Sequence, residues 1–182
     1  NMPQHRLVSL VGNMHPDGSA TPFNVVVRMA DRVGAQHHPM PLTVLVRDPS
    51  ELPLLHDQAP VAKTRQLCDD ADVTYVGVGQ IGPDAALLID GFLTAQESEE
   101  LVKQGAVGEI VGWSYDGNGQ IIEGLTNDRV SSAKLVPDNP KPVIGVANGK
   151  GKVAAILGAL NGRLINGLIT DELTAERILA AS

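Results

Sequence analysis

Apolar positions along this chain follow two alternating rhythms. Short continuous or alternating apolar runs at residues 7–11, 42–46, 73–79, 143–146 and 164–169 have the length and β-branched content of strands. Between them, apolar residues recur at helical spacing. A helix is predicted over 22–33 with Val26, Met29, Ala30 and Val33 as its stripe and Gly34 as its C-cap. Further helices are predicted over 61–71, with Leu67, Cys68 and Ala71 inward, and over 85–89. Thr94 with Glu97 forms a capping box for a helix that turns Leu101 and Val102 inward and ends at Gly105. A last helix starts at Thr170-Asp171-Glu172 and points Ile178 and Leu179 inward. Residues 109–115 alternate, and Asp116-Gly117-Asn118-Gly119 is a tight-turn signal before 120–122, so a β-hairpin is expected near 109–122. Residues 49–60 form a proline-rich excursion with space for a short helix, and 125–140 read as polar and irregular. Strands separated by helices predict an α/β fold with a mostly parallel sheet flanked by helices.

One stretch stands out within this pattern. Val143-Ile144-Gly145-Val146 reads as a buried strand, Pro142 is tolerable at its start, and Ala147-Asn148-Gly149-Lys150-Gly151-Lys152 makes a polar, glycine-rich turn. Val153, Ile156, Leu157 and Leu160 then recur as a helix. Strand, glycine turn and helix form an arrangement that binds phosphate, because the first-turn N–H groups are free and the helix dipole favours an anion. Lys150 and Lys152 add positive charge there, although the spacing is not that of a Walker loop. The residues alone leave two readings level: an anion site, or a glycine turn carrying two solvated lysines. In a parallel sheet, ligands gather at the carboxyl ends of strands. That rule groups Gly12-Asn13, Gly79-Gln80 and the stretch from Asn148 to Lys152.

Composition narrows the function. The 182 residues suit one domain, taken here as residues 3–182, and an apolar fraction of 43% permits a sizeable core. The formal net charge of −7 and an aromatic content of 3% argue against direct grip on nucleic acid or base stacking. No apolar run has the length of a membrane span, and no signal-peptide pattern opens the chain. Cys68, the single cysteine, fits a reducing cytoplasm and reads as a core residue. His37-His38 lacks companion ligands at useful spacing, so a solvated loop is expected and no metal or cofactor site is predicted. Asp116 and Asp171 read as turn and helix-start residues, and no acid orients His15 near Ser19, so no catalytic residue is assigned.

The second half of the chain resembles a known family. Residues 105–119 (Gly-Ala-Val-Gly-Glu-Ile-Val-Gly-Trp-Ser-Tyr-Asp-Gly-Asn-Gly), 143–156 and 168–175 are similar, in order and spacing, to signatures of the effector-binding domain of SorC-type bacterial transcriptional regulators. Val76-Gly77-Val78-Gly79 falls where that family has a similar strand. The resemblance implies a fold of the ribose-phosphate isomerase and glucosamine-phosphate deaminase type. It also implies sensing of a sugar, usually phosphorylated, passed to a helix-turn-helix segment and a homo-oligomer interface, in a cytoplasmic protein. Lys152 matches the family's phosphate-contacting lysine, and Glu109 its acidic acceptor for sugar hydroxyls. Asn13 and Asn148 stand where the family often has glycine. Nothing here matches the family's earlier strand and Gly-x-Thr phosphate loop, or its DNA-binding segment. The expectation is therefore an excised piece of a longer regulator or a shortened relative. A sugar-phosphate isomerase or deaminase on the same fold is the competing class, and a purely oligomerising module with Trp113 and Tyr115 at its interface is a third.

Overall fold

The computed structural model describes residues 2–19 and 25–181, which form two units. One comprises the described residues up to 71 with 129–133, the other 72–128 with the described residues from 134 on. Among the described residues the elements alternate as an α/β chain should, with parallel pairing in two of three small sheets.

In the first unit β1 (Arg6–Met14) pairs in parallel with β2 (Gln36–Thr43), joined through α1 (Val25–Val33). The predicted start of α1 at Pro22 lies outside the described residues. Gly34 does end it, at φ 66°, while Met29 of the predicted stripe is exposed. His37 and His38 are not in a loop. They lie in β2 opposite Leu7 and Val8, so the second strand begins earlier than its apolar run and stops at Thr43. Pro39 and Pro41, out of place in a central strand, are accommodated because β2 pairs with β1 alone among the described residues. The excursion at 49–60 is a 3-10 turn (Pro49–Glu51) and α2 (Leu52–His56), followed by α3 (Ala59–Asp69). Val61 and Cys68 of α3 join Met40, Leu42 and Ala133 in a buried core. Burial raises the Cys68 thiol to about 11, as befits a packing residue.

Residues 129–133, within the stretch read as polar and irregular, are this unit's strap. Val130, Ser131, Ser132 and Ala133 are all buried. Their backbone is tied by Val46 N–H to Arg129 C=O (2.9 Å), Ser131 N–H to Val44 C=O (3.1 Å) and Ala133 N–H to Leu10 C=O (2.8 Å). Arg65 donates to Ser132 C=O at 3.1 Å. Pairing that joins positions so far apart leaves no periodic signal in a segment of small polar residues.

The second unit holds two sheets. In one, β3 (Thr74–Gly77), β7 (Val143–Val146) and β8 (Gly167–Ile169) run parallel with β7 central. In the other, β4 (Gly79–Gln80), β5 (Ala106–Ile110) and β6 (Trp113–Asp116) are antiparallel. The apolar run 73–79 is thus split at Val78, one part going to each sheet. Helices α4 (Ala86–Ile89) and α5 (Ala95–Lys103) precede β5, and Thr94 and Glu97 form the predicted capping box. Helix α6 (Val153–Asn161) buries Ala155, Ile156, Gly158 and Ala159. Helix α7 (Glu172–Ala181) buries Thr174 and Ile178. Val102 and Leu179, predicted inward, are 50% and 77% exposed.

The hairpin is shifted. Residues 109–115 do not form one strand but fold back on themselves at Val111 (φ 48°) and Gly112 (φ 93°), the paired left-handed conformation of a type I′ turn. Asp116 to Gly119 also turns, its Oδ1 accepting from Asn118 and Gln120 N–H, and returns Ile121 to bridge Tyr115. Tyr115 is fully buried, with its hydroxyl donating to Ala155 C=O at 3.0 Å, and so serves packing.

Gly12 gives a direct test. It is buried inside β1, not at a strand end, and a Cβ there would run into the backbone of Leu42 and Thr43. Gly12→Ala should cost about 2 kcal/mol or more of stability, read as a lowered urea midpoint at unchanged slope.

Candidate functional site

The geometry that gathers polar groups in the second unit begins at Val78. Its carbonyl belongs to the break between β3 and β4, and Lys152 Nζ donates to it at 2.9 Å. An ammonium carries three donors, so the lysine is anchored at the strand junction with two still to give. The turn before it is a 3-10 turn, Lys150–Lys152, that runs straight into α6. Gly149, at φ 110° and ψ 150°, occupies a region essentially restricted to glycine. The Gln80 amide lies over Gly151, its oxygen 3.0 Å from where a Cβ would stand.

Two donors expected to face an anion are already engaged. Gly149 N–H bonds Thr174 Oγ1 at 2.9 Å, and Asn148 Nδ2 bonds Asp171 Oδ2 at 3.0 Å. Asp171 Oδ1 in turn accepts Thr174 N–H at 2.7 Å, which makes Asp171, and not Thr170, the cap of α7. These bonds, first those to Thr174 and then that from Asn148, hold the Asp171 carboxyl below its ordinary range. The start of α7 therefore braces the turn, and the first-turn N–H groups of Lys150 and Gly151, with the Lys150 and Lys152 side chains, are what it offers a ligand.

Glu109 lies in β5 opposite Gly79 of β4. Its Oε2 accepts the Gly112 N–H presented by the type I′ turn, at 2.9 Å, and its Oε1 rests where a Cβ of Gly79 would be. A glycine at 79 is thus what lets this carboxylate lie flat across the sheet. Burial raises the Glu109 pKa, offset only partly by the Gly112 bond and the charge of Lys152. The same burial, with the charge of Glu109, raises Tyr115 and keeps its phenol neutral.

Six of the residues singled out in the sequence, Gln80, Glu109, Asn148, Gly149, Gly151 and Lys152, are thus linked around β4 and the β7–α6 turn, with Lys150 exposed beside them. Gly12 and Asn13 lie within β1 of the other unit. Sequence reasoning missed Thr174, Gly112 and the Val78 carbonyl. Only Thr174 left a signal, three residues after an N-cap aspartate. No group of three or more His, Cys, Asp or Glu suited to a metal occurs among the described residues. An open groove of about 540 Å³ near Trp113 and Ile122 contains none of the candidate residues.

A parallel strand, glycine turn and helix, with a lysine at the junction of two sheets and a carboxylate on the neighbouring strand, are thus brought together here, and comparison with known proteins gives the family. Residues 1–180 match the family model described as "Putative sugar-binding domain", and the chain belongs to that family, the sugar-binding domain of SorC/DeoR-type transcriptional regulators. It is 30% identical over 174 residues to the erythritol catabolism regulatory protein EryD of Brucella abortus, covering 96% of this chain and 55% of that protein. It is 34% identical over 146 residues to the transcriptional regulator LsrR of Klebsiella pneumoniae, 78% of this chain and 45% of that one. The full-length sorbitol operon regulator SorC of Klebsiella pneumoniae superposes with a TM-score of 0.83 at 27% identity, over 96% of this chain and 57% of that structure. The chain spans about half the length of these relatives. They are regulators, a regulatory and not a catalytic role. No helix among the described residues is long and apolar enough to cross a membrane.

The Glu109 carboxyl makes a signed prediction. A raised folded-state pKa contributes stability that is fully present below the unfolded-state pKa and lost as pH rises through the folded value. Glu109→Gln should therefore match wild type near pH 4 and melt progressively higher than wild type as the pH approaches 7. A difference that stays constant with pH would show that the charge is not what burial penalises.

Proposed function

We propose that this domain senses a phosphorylated sugar or polyol. The phosphate sits on the N–H groups of Lys150 and Gly151 and on Lys152, and the hydroxyls donate to Glu109. The supporting observation is the Lys152 ammonium, tethered to Val78 C=O at the mouth of a helix N-terminus and electrostatically coupled to the half-buried Glu109. A carboxylate accepts only, so it suits hydroxyl donors, while an ammonium beside free N–H groups suits a phosphate. Asn148 and Gly149 act in this scheme by shaping the turn, and Gln80 by covering Gly151. Gly12 and Asn13, which the family resemblance implies for a ligand loop, lie within β1 and are given no contact in this scheme.

The relatives named for erythritol and sorbitol metabolism favour a short polyol or sugar chain. The isomerase- and deaminase-like fold is part of the proposal, supported by the parallel β3–β7–β8 sheet carrying its polar turn at a strand's carboxyl end. Residues 3–182 would act as one effector-binding domain of a cytoplasmic homo-oligomer, with DNA bound through a helix-turn-helix segment elsewhere in the full-length protein.

Thermal shifts with erythritol 4-phosphate, ribose 5-phosphate, sorbitol 6-phosphate, their unphosphorylated parents and inorganic phosphate test this reading, since a ligand specific for the native state raises the melting temperature. Lys152→Ala should weaken a phosphosugar at least about tenfold and its free parent little, because a charge-assisted bond is worth about 1.5–3 kcal/mol. Equal losses for both would sink the phosphate assignment.

A further inference from the structure

Beside Glu109 the hairpin carries a second polar group that the reading above leaves unused. Ser114 of β6 is the direct cross-strand neighbour of Glu109. Its backbone N–H and C=O both turn away from β5, to the Asn127 side chain at 2.8 Å each, and the same C=O accepts Ile122 N–H at 3.0 Å. Glu109 and Ser114 are therefore the non-hydrogen-bonded kind of antiparallel pair. In such a pair both side chains leave the same face, with Cβ atoms about 4.5–5.5 Å apart. Ser114 is 1% exposed, and among the described residues its Oγ has no hydrogen-bond partner. A buried hydroxyl without a partner is unfavourable, and alanine would fill the same place without that cost.

We propose that Ser114 Oγ is a second contact for the effector's hydroxyls. With Glu109 it selects a carbohydrate carrying two neighbouring hydroxyls away from its phosphate. The inference rests on the sugar-phosphate reading of this site. The division of labour follows from the groups themselves. Glu109 only accepts, so it takes a hydroxyl as donor, while a serine hydroxyl both donates and accepts and can serve whichever role the adjacent hydroxyl leaves open. Asn127 fixes the strand that presents Ser114 by pairing with both of its backbone groups, and so sets where the hydroxyl stands.

The test uses this chain as it is, with the phosphosugars named above and inorganic phosphate as probes. Ser114→Ala should melt at or above the wild-type temperature without ligand, yet bind each phosphosugar that shifts wild type about five- to tenfold more weakly. Inorganic phosphate should bind as before. Ser114→Cys keeps the volume with a weak hydrogen-bonding group, and should repeat the loss even if alanine repacks the site. Unchanged phosphosugar affinity in both variants would overturn the role of Ser114 and leave the sugar reading standing. A lowered melting temperature in both variants without ligand would assign the serine to packing instead. A wild-type chain that none of the phosphosugars shifts would overturn the sugar reading, and this inference with it.

Discussion

The bond from Lys152 Nζ to the Val78 carbonyl is the constraint around which the second unit is arranged. At Val78 a single apolar run stops pairing with β7 and begins pairing with β5, so one carbonyl is released from both ladders. A buried carbonyl must find a partner. The lysine supplies it and, in doing so, is itself pinned at the junction of two sheets. The positive charge is thus placed by a backbone requirement, within electrostatic reach of the Glu109 carboxylate.

The glycines around this bond have separate causes, and together they define the site's shape. Gly149 is required by its backbone angles and Gly79 makes room for the carboxylate of Glu109, while Gly151 lies beneath the Gln80 amide. On the other side of the turn, Asp171 and Thr174 absorb two of its polar groups and brace it against the start of α7.

Much of this was legible in the chain. The strand–turn–helix at 143–161, the capping box at Thr94 and the alternation of strands and helices follow from local periodicity and cap chemistry, and the structure reproduces them. What could not be read depends on partners distant in sequence. His37 and His38 are strand residues because β1 offers its edge, which no feature of those residues announces. Residues 130–133 are buried because they strap a unit whose other residues end more than 50 positions earlier. The hairpin was misplaced for a local reason. Asp-Gly-Asn-Gly is the stronger turn signal, but Val111-Gly112 also turns, although valine rarely adopts a left-handed conformation. For the candidate site, charged and glycine residues were visible, whereas the carbonyl and N–H groups that orient them carry no side-chain signature.

The parallel pairing of β3 with β7 joins Thr74 to Val143, and β8 and the bracing residues of α7 come later still. Closing about 70 residues between two partner strands carries an entropic cost that nearby contacts cannot offset early. As the chain leaves the ribosome, Glu109 and its hairpin can form from neighbouring residues, but the turn that holds Lys152 has no brace until Asp171 and Thr174 emerge. The two halves of the site therefore mature at different times. The hairpin half rests on contacts close in sequence, the Lys152 half on strands and a helix start far apart in it.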